Sequence, residues 1–125
     1  MPVITYGSDQ FPAFYSRYSG FPAECRLDST EEISHLIQAK DQMGLKGGIL
    51  VACPIPAEEE IPFEKIDVVI QQALRECEEQ KITGKRITPF LLSRVKDLTE
   101  GKSLEANIRL VLNNARIGAE IAANL

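Results

Sequence analysis

The sequence has few of the residues that build metal centres and disulfide frameworks. Its single histidine, His35, excludes a multi-histidine metal site and is expected to be exposed or half packed. Its three cysteines are Cys25, Cys53 and Cys77, each more than twenty residues from the next. They match no zinc or disulfide spacing, so we expect buried free thiols rather than a reactive site.

Long apolar runs and an excess of positive charge are also absent. No stretch reaches eighteen apolar residues, and no charged segment followed by a hydrophobic one opens the chain. The formal net charge is −4, with lysines and arginines scattered among acids. We therefore expect no membrane-spanning helix, no signal peptide and no nucleic-acid partner, and free thiols favour a cytoplasmic location.

What is present is an alternation of strand and helix patterns within 125 residues, of which 44% are hydrophobic. The length suits one domain, and the alternation predicts an α/β fold of about three strands and four helices. "GGILVACPIP" is apolar on both faces and predicts an inner strand. The predicted strands are 2–6, 23–28 and 47–56, and the predicted helices are 29–43, 62–80, 88–101 and 103–125.

Capping signals mark several helix ends. Ser29 and Glu32 have capping-box spacing, and Gly44 suits a helix stop. Thr88 before a proline predicts the start of the third helix, and Ser103 is expected to cap the fourth. The loop 7–22 is rich in aromatic residues, which we expect to pin it to the core.

Two motifs were considered for chemistry and rejected. Gly101-Lys102-Ser103 looks like part of a phosphate-binding loop, but Lys96 stands where a glycine is needed, and the segment joins two helices. The three acids at 58–60 could suggest a glycosidase carboxylate pair, yet consecutive acids beside prolines are more typical of a solvated loop.

Three asparagines interrupt the apolar pattern of the last helix. At about 100° per residue Asn107 falls on the inward side, Asn114 lies inside or at the edge, and Asn113 lies towards the arginines. A buried amide needs a hydrogen-bond partner. Either a neighbouring turn's backbone or a ligand could supply it, and the pattern leaves both readings open.

Four segments together resemble the C-terminal part of the pseudouridine-5′-phosphate glycosidase family, also called indigoidine synthase A. They are "VITYGSDQFPAFYSRYSGF", "GGILVACPIP", "GKRITPFLL" and "LTEGKSLEANIRLVLNNARIGAEIA", in that order. The resemblance covers nearly the whole of residues 1–125. It implies that the chain is the C-terminal portion of a larger α/β domain.

The resemblance also implies a reaction. Family members cleave, or form, the carbon–carbon glycosidic bond between uracil and ribose 5-phosphate in pseudouridine 5′-phosphate. A lysine forms an imine with the opened sugar, assisted by a glutamate and a divalent metal, usually Mn²⁺. Covalent catalysis of this kind lowers the barrier for a poor carbon leaving group. The family forms homotrimers.

Only substrate-binding roles carry over to this sequence. The base-binding asparagine is placed at Asn107, with Thr88 and Asn113 as weaker companions. The catalytic lysine, the glutamate and the metal ligands belong to segments upstream of "VITY", so no catalytic or metal-binding residue is assigned. Cys53 stands where the family has asparagine.

These observations lead to two hypotheses. In the first, the chain is part of such an enzyme and is inactive alone, being truncated or complemented by a separate N-terminal segment. In the second, it is a non-catalytic oligomerisation or ligand-binding module. We expect exposed apolar faces where the rest of the larger domain would pack.

Overall fold

The computed structural model describes residues 1–125 and centres on a small parallel sheet. Its strands are β1 (Val3–Tyr6), β2 (Arg26–Leu27) and β3 (Leu50–Ala52), in the order β2-β1-β3. Thr5 of β1 stands opposite Arg26 on one side and Ala52 on the other. All three strands run parallel. The helix Thr30–Gln42 joins β2 to β3, whereas β1 is joined to β2 by a long segment without a helix.

Four helices complete the fold and confirm the predicted α/β class. They are α1 (Thr30–Gln42), α2 (Phe63–Glu79), α3 (Ile87–Leu98) and α4 (Lys102–Ala123). Short 3₁₀ turns occupy Ala57–Glu59 and Gly84–Arg86. None of the helices combines the length and the apolar character needed to cross a membrane.

The prediction of an inner strand at 47–56 is wrong. β3 is only three residues long and lies at an edge of the sheet, whereas β1 is central. Two prolines follow β3 closely, and proline cannot donate to a strand ladder, which limits its pairing. Apolar residues on both faces therefore did not indicate a central position here.

Some of the capping signals predicted at the helix ends are present in the structure, and others are not. The capping box of Ser29 and Glu32 is present, and Gly44 has a positive φ of 68° directly after the helix. Thr88 does not cap α3, because a 3₁₀ turn leads into that helix and Arg86 occupies the N-cap position. Gly101, not Ser103, precedes α4, in a left-handed conformation with φ 85°.

The core lies between α2, α3, α4 and the segment after β3. Its buried cluster comprises Tyr15, Ile55, Ile66, Ala73, Val95, Ala106 and Leu110. Of the loop aromatics only Tyr15 is buried, while Phe11, Phe14, Tyr18 and Phe21 are exposed, so the expectation that these rings pin the loop is largely wrong. Of the thiols, Cys77 is buried, Cys53 is half buried and Cys25 is exposed.

Helix α4 presents three sides. One side is buried and consists of Ser103, Ala106, Leu110 and Ile117. A second carries the charged residues Lys102, Glu105, Arg109, Arg116 and Glu120. The third is apolar yet exposed, and includes Leu104, Ile108, Val111 and Leu112. Asn107 and Asn114 lie at the border of the buried and apolar sides. Asn114 is exposed at that border, so of the two predicted positions, inside or at the edge, the edge is the one observed.

Candidate functional site

A cleft opens where β1 and β3 end, at the carboxyl edge of the sheet. The chain leaves β1 towards β2 on one side and later returns to β3 on the other, so the strand order reverses at β1. Ligands of open α/β sheets bind in the crevice at such a reversal. The cleft measures about 170 Å³ and is lined by Tyr6, Gly7, Arg17, Pro54, Pro56, Asn113 and Ile117.

Arg17 brings a positive charge to this cleft from the loop between β1 and β2. Its Nη1 donates to the carbonyl of Ile55 at 2.8 Å, and its backbone N–H donates to Oε2 of Glu60 at 2.8 Å. The side chain is half buried, and no carboxylate forms a salt bridge with its guanidinium. A guanidinium keeps its charge and has N–H groups to spare, so this one is suited to an anion.

Asn113 reaches the same cleft from α4. Its Nδ2 donates to the carbonyl of Pro54 at 3.4 Å, which is long for a hydrogen bond. Its Oδ1 accepts from Nη2 of Arg116 at 3.1 Å, and Arg116 is in turn paired with Glu120. Arg116 thus orients the amide, whose N–H₂ group is directed to the cleft wall and only weakly bound there.

Cys53 lies beside the cleft, directly before Pro54. Burial raises the pKa of its thiol, which disfavours the nucleophilic thiolate. No three His, Cys, Asp or Glu side chains of the chain come together in a way that could hold a metal ion. The manganese ion that the resemblance implies therefore has no ligand set among these residues.

The other two predicted binding residues lie elsewhere. Asn107 is half buried and lines a groove of about 250 Å³ between α3 and α4, beside Lys96 and Ser103. Its side chain forms no hydrogen bond within the chain. Thr88 is exposed on an adjoining apolar groove of about 310 Å³. Both grooves are lined by Tyr15 and Leu92, so they adjoin, and we refer to the two together as the channel along α3.

The structure thus separates Asn113 from the channel that holds Asn107 and Thr88. It also adds Arg17, which the sequence interpretation did not select. The available signal was an arginine within an aromatic and glycine-rich loop that directly follows a strand. Side chains at that position reach the carboxyl edge of the sheet.

Comparison with known proteins identifies the family. The sequence model described as "Indigoidine synthase A like protein" matches residues 1–124. The chain belongs to the indigoidine synthase A-like family. Among curated relatives, pseudouridine-5′-phosphate glycosidase of Geobacillus kaustophilus is 54% identical over 125 residues, all of this chain and 42% of its own. That of Lysinibacillus sphaericus is 55% identical over 122 residues, 98% of this chain and 40% of its own.

Solved family structures agree with this fold. An indigoidine synthase A-like protein from Thermotoga maritima superimposes with a TM-score of 0.82 at 32% identity, over 98% of this chain and 40% of that one. Prealnumycin C-glycosynthase AlnA, in complex with ribulose 5-phosphate, gives a TM-score of 0.86 at 27% identity, over 99% of this chain and 41% of that one. The chain corresponds to the C-terminal part of the family fold, about two fifths of the relatives' length.

Proposed function

We propose that this chain supplies the C-terminal, substrate-binding part of an enzyme that cleaves or forms the carbon–carbon glycosidic bond of pseudouridine 5′-phosphate. The products of cleavage are uracil and ribose 5-phosphate. The activity of the curated relatives supports this proposal, as does the sugar phosphate bound to the C-glycosynthase. A cytoplasmic homotrimer forms part of the same proposal and rests on the family resemblance.

The single observation that carries the proposal is that Arg17 and Asn113 line the same cleft at the carboxyl edge of the sheet. A guanidinium without a carboxylate partner suits the phosphate of the sugar, because it offers several N–H donors to one anion. An amide side chain suits the edge of uracil, which presents both a carbonyl oxygen and an N–H. The cleft thus offers one group for each end of the substrate.

The bond-breaking step is assigned to a lysine imine, and that lysine lies outside these residues. No lysine lines the cleft. In the proposed enzyme the lysine comes from polypeptide that corresponds to the remaining three fifths of the relatives. The residues present here bind and orient the substrate. Incubated alone with pseudouridine 5′-phosphate and Mn²⁺, the chain is expected to release no uracil.

A chimera tests the proposal. The segment of the Geobacillus relative that precedes the matched region is fused to this chain, and uracil release is followed by chromatography. We expect activity, and we expect Arg17→Met to raise KM by roughly 10- to 100-fold, the value of a hydrogen bond to a charged group. A chimera without activity, or an unchanged KM in the Arg17 variant, would contradict the proposal.

The position of the base is decided by a matched asparagine series in the same chimera. Asn113→Ala is expected to weaken uracil binding by roughly tenfold, while the exposed Asn114→Ala serves as the control and should have no effect. Asn107→Ala and Thr88→Val test the alternative position. A loss of uracil affinity in those two variants alone would place the base in the channel along α3.

A further inference from the structure

The exposed apolar side of α4 runs the full length of that helix without a charged residue. At about 100° per residue, eight residues spread along the helix fall within one sector of its surface that is roughly 120° wide. They are Leu104, Ile108, Val111, Leu112, Ala115, Gly118, Ala119 and Ala122. The four large side chains among them are 45%, 50%, 58% and 56% exposed, in chain order. A helix of 22 residues is about 33 Å long, so this is an extended surface.

The surface continues beyond α4. Leu104 and Leu92 of α3 line the same groove, and Leu92 and Phe14 line the adjoining one. Both Leu92 and Phe14 are more than a third exposed. We call the apolar sector of α4 together with Leu92 and Phe14 the α3–α4 face. It spans three chain segments, whereas isolated exposed apolar residues are ordinary on a protein surface.

The solvent-accessible surface area of the chain is larger than its mass leads one to expect. A self-contained protein of 13.9 kDa exposes about 6,700 Å². This chain exposes 8207 Å², which is about 1,500 Å² more. Standard protein interfaces cover about 800 Å² on each partner, and areas as large as this excess, which is summed over the whole chain, occur in large signalling assemblies and in obligate complexes. Obligate interfaces resemble a domain core cut in two, and their centres are depleted of charge, as this face is.

We propose that the α3–α4 face binds the polypeptide that corresponds to the N-terminal three fifths of the family's proteins. The proposal rests on family membership and not on the proposed reaction. The relatives are more than twice as long as this chain, and their additional length is the natural source of a cover of this size. The C-terminal half of the face carries only alanine and glycine, which lets a second backbone approach closely.

Thiol labelling tests the proposal independently of activity. The variants Val111→Cys and Val68→Cys are made after Cys25→Ser removes the exposed native thiol. Val68, on α2, is 66% exposed and lies outside the face, so it is the matched control. Each variant is prepared as the chain alone and as the chimera with the relative's N-terminal segment. We expect the thiol at 111 to react at least roughly 100-fold more slowly in the chimera and the thiol at 68 to react equally fast in both.

Stability measurements provide the second readout. Val111→Glu should leave the melting temperature of the chain alone unchanged and lower that of the chimera. Val68→Glu should change the two melting temperatures by the same amount. Equal labelling of the thiol at 111 in chain and chimera would overturn the proposal. Equal protection of both thiols would also overturn it, since the cover would then show no preference for this face. Light scattering of the chain alone distinguishes a further outcome. If the chain forms an oligomer that dissociates to monomers in the Val111→Glu variant, the face binds a second copy of the chain and the proposal is overturned.

Discussion

The same substitution is expected to have opposite effects at two glycines, one inside α4 and one directly before it. Gly118 lies inside the helix, and a Cβ added there meets no atom within 4 Å. Gly101 precedes the helix with φ 85°, and its N–H donates to the carbonyl of Lys96 at 2.9 Å to end α3. Alanine is favoured over glycine in a helix interior by about 1 kcal/mol. In the left-handed region alanine is disfavoured by about 1–2 kcal/mol.

Gly118→Ala is therefore expected to stabilise the chain by about 1 kcal/mol and Gly101→Ala to destabilise it by about the same amount. Urea denaturation followed by circular dichroism measures both free energies of unfolding. For a domain of this size the melting temperatures should move in opposite directions by about 4 °C each. Shifts of the same sign would refute the reasoning, because the added methyl group is identical and only the backbone conformation differs.

Two further predictions concern contacts between helices. The hydroxyl of buried Ser34 on α1 lies 2.9 Å from two carbonyl oxygens, that of Thr30 in its own helix and that of Ile121 on α4, and its single O–H proton is shared between them. Ser34→Ala should cost about 1 kcal/mol in the free energy of unfolding, while Ser93→Ala, at an exposed serine without a hydrogen bond, should cost nothing measurable. Arg94 on α3 lowers the pKa of Glu76 on α2 through their hydrogen-bonded ion pair. A depressed carboxyl pKa stabilises the fold above the unfolded pKa of about 4.5, and that stability is lost as the pH falls through the folded pKa. Glu76→Gln should therefore be less stable than the parent near neutral pH, and the stability difference should shrink as the pH falls through the folded pKa of Glu76; a difference that is constant with pH would contradict this.

Several local signals predicted their elements correctly, although the caps expected at Thr88 and Ser103 did not form. The capping box at Ser29 fixes the start of α1 within four residues of sequence, and α2 follows one apolar stripe from Ile66 to Cys77. In both helices one face is apolar and the other is not, so the side facing the core is unambiguous. The existence of four helices and about three strands followed from such patterns.

Helix α4 shows why the rest could not be predicted. Its apolar residues occupy two sides, and periodicity alone cannot tell which of them faces the core. The prediction that Asn107 lies on the inward side assumes that Leu104 and Val111 face the core, but Ala106 and Leu110 are buried instead. The choice depends on where α2 and α3 pack, which is a tertiary property. The placement of the asparagines on this helix inherited that ambiguity.

Only part of the candidate site could be predicted from the sequence. Asn113 was named through the family resemblance, as a weaker companion of Asn107. Arg17 was not selected, because arginines in loops are common and the significance of this one depends on the missing carboxylate partner and on the meeting of two strand ends. Both are facts of spatial arrangement rather than of composition.

The attachment of Arg17 at both ends bears on how a ligand would be held. Its backbone is fixed by Glu60 and its guanidinium by the carbonyl of Ile55. A free surface arginine loses rotamer freedom when it captures an anion, which weakens the complex. Here that ordering occurs when the chain folds. The guanidinium is therefore held in place before any ligand binds, and an anion captured there, such as the phosphate of the proposed substrate, would not have to order a flexible side chain.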